Sequence, residues 1–375
     1  MYYEVKLKNV SLGYSETASK KGDDVTVSLI GFFSSEDGDE LIKRLEGFPQ
    51  ELLSLSPFTP PFPPSKVDTL IAIIRKDKTV SVYLNEVKTI AKMRIKGGKE
   101  KGEMIFTDDI LDIEEVEFQD ILIPDDAGVV YVFSVGWRKG FFYDFSPLHG
   151  EVRDYNIKKQ MAGFLSYLMF QDRFKISENA WDTMFEQRWF PFIYLNNSLI
   201  KKMILCGEVQ SQIDNLLPEI RENILLLFEE ANIFDRPTPY FEDHASLIDR
   251  AIDRYKNGDY VSCTAILYPR IEGVMRTFYR RVGYTLPLSS SSLANAVVEH
   301  NKQERTSASL LLPDKFHKYL NDIYFSGFSP GSMPNVARNS VAHGEARADD
   351  FSLKSASIAI LVLYQLSLFF KDKTS

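Results

Sequence analysis

The sequence predicts an α+β fold, with a β-rich N-terminal domain, a helical region after it and an all-α bundle at the C-terminal end. Three observations lead there. Residues 1 to about 150 hold short β-rich runs, and from about 151 the apolar residues fall at helical spacing. A stretch with two prolines, FDRPTPYFED (Phe234 to Asp243), then separates two helical regions. The expected domains are therefore 1–150, 151–235 and 240–375. A chain of 375 residues has room for two or three domains, and an apolar content of 44% is ample for their cores.

The elements follow in order. KVDTLIAIIR (Lys66 to Arg75) and TVSVYLNEVK (Thr79 to Lys88) flank KDK, a hairpin pattern, and GVVYVFSVGW (Gly128 to Trp137) is a further β-rich run. SPFTPPFPPS (Ser56 to Ser65) is neither helix nor central strand, because proline fixes φ and removes donors. It reads as an extended surface segment, with docking of a partner as the alternative. IKKQMAGFLSYLMF and IDNLLPEIRENILLLFEEANIF read as helices. In the last region SLIDRAIDRYKNG is one helix, broken by Gly258–Asp259 before a longer one, YVSCTAILYPRIEGVMRTFYRRVG. Pro269 is expected to kink that helix or to lie near its start. LSSSSLANAVVEHN is a serine-capped helix and PDKFHKYLNDIYF another. The run ASIAILVLYQLSLFF (Ala356 to Phe370) is interrupted by Ser357, Gln365 and Ser367. It is also shorter than the ~20 residues of a membrane span, so it reads as a buried helix. No internal repeat or long low-complexity tract occurs.

Composition excludes several function classes. Two cysteines, Cys206 and Cys263, build no disulfide framework and fit a reducing cytoplasm. The start, MYYEVKLKNV, lacks the basic and apolar segments of a secretory leader. A net charge of −8 argues against a chain that coats nucleic acid non-specifically, though not against a local site. From Phe241 onward about 16 basic residues face about 14 acidic ones, so the acidity is concentrated earlier.

The segment PNVARNSVAHG (Pro334 to Gly344) carries the most chemistry. Pro334 suits a helix's first turn and Gly344 its left-handed end, with Asp349 or Asp350 capping the next helix. Asn339 and His343, four apart, then share a face, and the long Arg338 side chain curls toward the same pole. A histidine titrating near neutrality takes and returns a proton, and a fixed guanidinium holds a phosphate. Asn339 orients either group. Such a set needs no metal and suits RNA cleavage by attack of the 2′-hydroxyl on the adjacent phosphate; DNA lacks that nucleophile. A two-fold dimer would bring two histidines and two arginines to one cleft. On spacing alone, a capped helix end with a solvated arginine accounts for the same residues.

The segment RNSVAH matches the R-N-x-x-x-H motif of the HEPN superfamily of helical ribonucleases, of the abortive-infection type. ASLIDRAIDRYKNGDYVSCTAILYPRIEGVMR resembles that superfamily's paired first helices, and the motif lies just before a long apolar terminal helix. The likeness covers roughly residues 240 to 372. It implies an HEPN-like bundle in which Arg338, Asn339 and His343 are the catalytic set, with Glu272 as a supporting group or an interhelical ion-pair partner. It further implies a metal-independent endoribonuclease without cofactor, acting on RNA as a homodimer, in a toxin or anti-phage system. A regulatory protein or phage-derived trigger is the expected partner, and the first 240 residues are expected to sense or restrain. The rival reading is a non-catalytic RNA- or protein-binding module on the same bundle.

A second rival lies in the hairpin. Asp68, Glu86 and Lys88 form D…E-x-K; if Arg75 pairs with Thr79, Asp68 falls opposite Glu86, and the set could hold Mg²⁺ and activate water. Glu86 would share a face with Val80, Val82 and Leu84. KMRIKGGKEKGE (Lys92 to Glu103) reads as a hairpin turn with solvated lysines, followed by the acidic DDILDIEEVE. His149, His244, His300, His317 and His343 are dispersed, so no zinc spacing exists. No phosphate-binding glycine loop, dinucleotide fingerprint or nucleophile-elbow serine occurs.

Overall fold

The computed structural model describes residues 1–150, 152–230, 240–284, 289–302, 308–325, 346 and 348–370. The chain is α+β, as expected, with an antiparallel sheet in its N-terminal part and helices in its C-terminal part. Its contacts form two units, residues 1–92 with 113–171 and residues 93–112 with 172–375, where the sequence suggested three regions. The middle helices share a unit with the C-terminal ones, and the first helix after residue 150 belongs with the sheet.

The strands are β1 (Tyr2–Lys6), β2 (Tyr14–Ser15), β3 (Val27–Ser28), β4 (Ile30–Ser34), β5 (Thr69–Ile74), β6 (Thr79–Leu84), β7 (Thr89–Ile95), β8 (Ile110–Phe118), β9 (Gly128–Val135) and β10 (Arg138–Asp144); residues of β7 and β8 are divided between the two units, and the other strands belong to the first. The principal sheet runs β1-β6-β5-β9-β10-β4, antiparallel throughout. The expected KDK hairpin joins β5 to β6, with Ile74 opposite Val80 and Leu70 opposite Leu84. Alternation by two sends Leu70, Ala72, Ile74, Val80, Val82, Leu84, Val130 and Val132 into one core. Two short helices, α1 (Asp39–Leu45) and α2 (Phe48–Ser54), cover it with Leu41, Leu45, Phe48, Leu52 and Leu53. At seven residues each they are too brief for a periodic signal, so the sequence does not distinguish them from the surrounding strand region. The opposite face is covered near β9 and β10 by α3 (Ile157–Met169), whose Phe164 stacks on Phe32 at 4.2 Å and meets Phe142 at 4.8 Å. Burial on both faces explains why TLIAII reads as a continuous apolar run.

The proline segment is irregular, as expected, but Phe58 and Phe62 pack against the core, and Phe58 sits edge-on to Tyr3 at 5.9 Å. At the end of β10, Asp144 is fully buried. Its carboxylate accepts from Arg153 Nε (2.9 Å), Tyr155 Oη (2.6 Å) and the Ser146 amide (3.0 Å) and hydroxyl (2.6 Å). Arg153 also donates to the carbonyls of Pro124 and Ala127. The pair is thus hydrogen-bonded on both sides, the condition for burying two charges.

The second unit holds α5 (Glu178–Glu186), α6 (Asn197–Glu208), α7 (Leu217–Glu230), α8 (Ala245–Lys256), α9 (Tyr260–Arg281), α10 (Ser290–Lys302), α11 (Pro313–Tyr319) and α12 (Leu353–Ser367), after the short α4 (Gln171–Phe174) at the boundary. The predicted break between α8 and α9 is there: Gly258 has φ +77°, and Asp259 Oδ1 accepts from the Ser262 amide at 3.0 Å. His244, just before α8, meets Gly273 and Thr277 of α9, while Tyr255 at the far end meets Tyr260. The two helices therefore run antiparallel. Pro269 lies inside α9. Ser289 Oγ caps α10, accepting from the Ser292 amide.

Helix α12 packs on α9 and α7 and is buried at every position from Ser355 to Leu366. Its polar interruptions are each used. Ser357 Oγ bonds Tyr255 Oη at 2.8 Å. Gln365 accepts from the Ile193 amide (3.0 Å) and donates to the Leu311 carbonyl (3.2 Å). Ser367 donates to the Tyr364 carbonyl. Asp349 and Asp350 do not cap this helix. They belong to a 3-10 turn, Ala348–Asp350, and the cap is Ser352, reciprocally paired with Ser355.

Candidate functional site

Arg338, Asn339 and His343, the residues to which sequence assigned catalysis, lie outside the described residues, as does Gly344. The described chain around them is α11 on one side and the turn leading into α12 on the other.

Glu272 lies on α9 and is 4% exposed. Its Oε1 accepts from Arg276 Nε at 2.7 Å and Nη2 at 2.6 Å. This pair lies within α9, four residues apart on a single face. Arg276 remains a third exposed, so its guanidinium reaches the surface beside a buried carboxylate. Nearby, the ring of His244 rests on the one position of α9 without a side chain to obstruct it: a Cβ at Gly273 would lie 2.8 Å from His244 Cε1. Burial, and then the charge of Arg270, lower the His244 pKa from its ordinary value. Nε2 of this imidazole lies 3.3 Å from Thr277 Oγ1.

The D…E-x-K register is as expected: the Arg75 amide bonds the Thr79 carbonyl, and the ladder extrapolates to Asp68 opposite Glu86. The strands stop short of that pair. Asn85 takes a left-handed turn (φ +56°), and its Oδ1 accepts from the Asp68 and Thr69 amides. Glu86 does not join Val80, Val82 and Leu84 in the core. It is 78% exposed and holds the Met1 amino group at 2.9 Å, while Lys88 is exposed. Among the described residues no group of three or more His, Cys, Asp or Glu side chains is placed to hold a metal ion.

One feature was missed from sequence. Lys96, in the stretch read as solvated lysines, borders a cleft of about 500 Å³ with Lys99, Asp108, Asn196, Asn223 and Glu230, all within the second unit. Lys96 Nζ donates to the Leu195 carbonyl at 3.1 Å. Burial pulls its pKa down to about 8, against the opposing pull of Asp108 and with the aid of Arg173. No local signal marks it: a Cβ at Gly97 would meet the Glu230 carbonyl oxygen at 3.4 Å, an ordinary contact distance, so the approach does not require the glycine pair.

No protein-family model, curated protein or solved structure matches the chain.

Proposed function

We propose that the protein is a metal-independent endoribonuclease, a toxin or anti-phage effector of the cytoplasm, whose chemistry lies in the C-terminal helices. His343 moves the proton as acid or base, Arg338 holds the phosphate and stabilises its developing charge, and Asn339 orients. A homodimer supplies the second histidine. The observation that carries the reading is the R-N-x-x-x-H spacing itself, which falls in the sequence between α11 and α12. Two features are in keeping with it. The paired helices resembling the superfamily's first two are an antiparallel pair, α8 and α9, and α12, which follows the motif in the sequence, is buried from Ser355 to Leu366 and packs on α9.

The test is cleavage of RNA in EDTA by wild type, Arg338→Ala and His343→Ala. Chelator-resistant cleavage, reduced ~10²- to 10⁴-fold in each variant, is expected. A His343→Ala protein with undiminished effect would favour a non-catalytic module. Cleavage abolished by EDTA and indifferent to both substitutions would move the chemistry to Asp68, Glu86 and Lys88.

A further inference from the structure

We propose that the cleft beside Lys96 is a binding site for a small phosphorylated molecule that also bears hydroxyl groups. The inference is independent of the cleavage reaction. At about 500 Å³ the cleft falls within the size range of small-molecule sites.

The cation is the first argument. An ammonium has three N–H donors. Lys96 uses one on the Leu195 carbonyl, and among the described residues no carboxylate lies within ion-pair distance of it. Asp108, Glu230 and Asp109 offset part of the cost of burying this charge, but none touches the ammonium, and an anion in direct contact with it would offset more. Arg173, fully buried, adds positive potential at Lys96, and its Nε and Nη1 have no hydrogen-bond partner among the described residues. The lowered lysine pKa agrees with an ammonium in want of an anion.

The amides are the second argument. Asn196 Oδ1 caps α6 by accepting from the Leu199 amide, and Asn223 Oδ1 accepts from the Asn196 amide. With both oxygens engaged, the two Nδ2 groups are the ends left to donate to a phosphate oxygen. Phosphate is therefore offered one ammonium and two amide donors.

The carboxylates set the rest of the ligand. Asp109 is taken by Lys99 at 3.2 Å and by the Phe106 amide, and Asp108 Oδ1 by the Asn197 amide. Among the described residues Asp108 Oδ2 and the Glu230 carboxylate keep acceptor capacity beside the cleft, which suits hydroxyl donors. Leu226 and Leu227 give an apolar wall for a sugar or base face. A nucleotide and a sugar phosphate share this chemistry, and titration can distinguish them.

The experiment is calorimetric titration of the full chain at pH 7 with adenosine 5′-monophosphate, glucose 6-phosphate and inorganic phosphate. At least one organic phosphate should bind with Kd below about 1 mM, and inorganic phosphate about tenfold more weakly. Lys96→Met should weaken binding by about tenfold or more, the usual scale of a charge-assisted contact. Asn223→Asp, which adds a negative charge, should do likewise and serves if the first variant fails to fold. Tighter binding of the monophosphate assigns a nucleotide, and the reverse a sugar phosphate. Inorganic phosphate binding as well as both would overturn the hydroxyl-bearing ligand. No binding up to about 10 mM, or binding indifferent to both substitutions, would overturn the site.

Discussion

Replacing Lys96 by methionine should stabilise the empty protein at neutral pH and stop doing so in alkali. The ordinary lysine pKa is 10.5, and burial holds Lys96 near 8 in the folded chain. Below pH 8 both folded and unfolded states carry the charge, and the folded state bears the full desolvation penalty. Above 10.5 both are neutral and the penalty is gone. Between these values the unfolded chain binds more protons, so wild-type stability rises with pH. At about 1.4 kcal/mol per tenfold the interval amounts to about 3 kcal/mol. Methionine removes this penalty but forfeits the bond to the Leu195 carbonyl, about 1 kcal/mol. The net expectation is Lys96→Met more stable by about 2 kcal/mol at pH 7 and less stable by about 1 kcal/mol near pH 10.5. Urea unfolding of both proteins across that range, at constant ionic strength, reads the difference directly, because all other titrations cancel. A difference that stays flat with pH, or a variant markedly weaker at pH 7, would refute the desolvation argument.

Other perturbations have expected outcomes of their own. Asp144→Ala leaves Arg153 buried without its carboxylate and should lower stability by about 3–5 kcal/mol, whereas Asp144→Leu with Arg153→Met should recover most of it; a double-mutant cycle in urea decides. Gln365→Leu strands the Ile193 amide and the Leu311 carbonyl and should cost about 2–4 kcal/mol, despite its greater apolarity, measured as a fall in denaturation midpoint. Gly207→Ala places a Cβ 2.9 Å from the Ala180 carbonyl oxygen, where α5 and α6 meet, and should cost about 1–3 kcal/mol by thermal melting; an unchanged Tm would mean the contact relaxes freely.

The periodic features were legible in the chain. Alternation around KDK foretold both the β5–β6 hairpin and its register, because side chains on a strand change face at every residue and a slip by one would expose the core. The buried terminal helix was equally readable from its composition, as was the break at Gly258–Asp259 between α8 and α9. The candidate catalytic set, Arg338, Asn339 and His343, rests on local spacing and the chemistry of three side chains, which sequence alone supplies.

Tertiary structure decided what depends on distant partners. Sequence showed Gln365 only as a break in an apolar run; its reason is Ile193, 172 residues away. Glu86 looked core-facing by parity, yet Asn85 turns the chain before it and the Met1 amino group holds it at the surface. Lys96 looked solvated in a charged loop, but the Leu195 carbonyl, 99 residues on, and α7 enclose it. Local pattern determines backbone period and which face is apolar, since both arise within a few residues. Burial of a single polar group, and hence its charge and use, is set by whatever the rest of the chain brings against it.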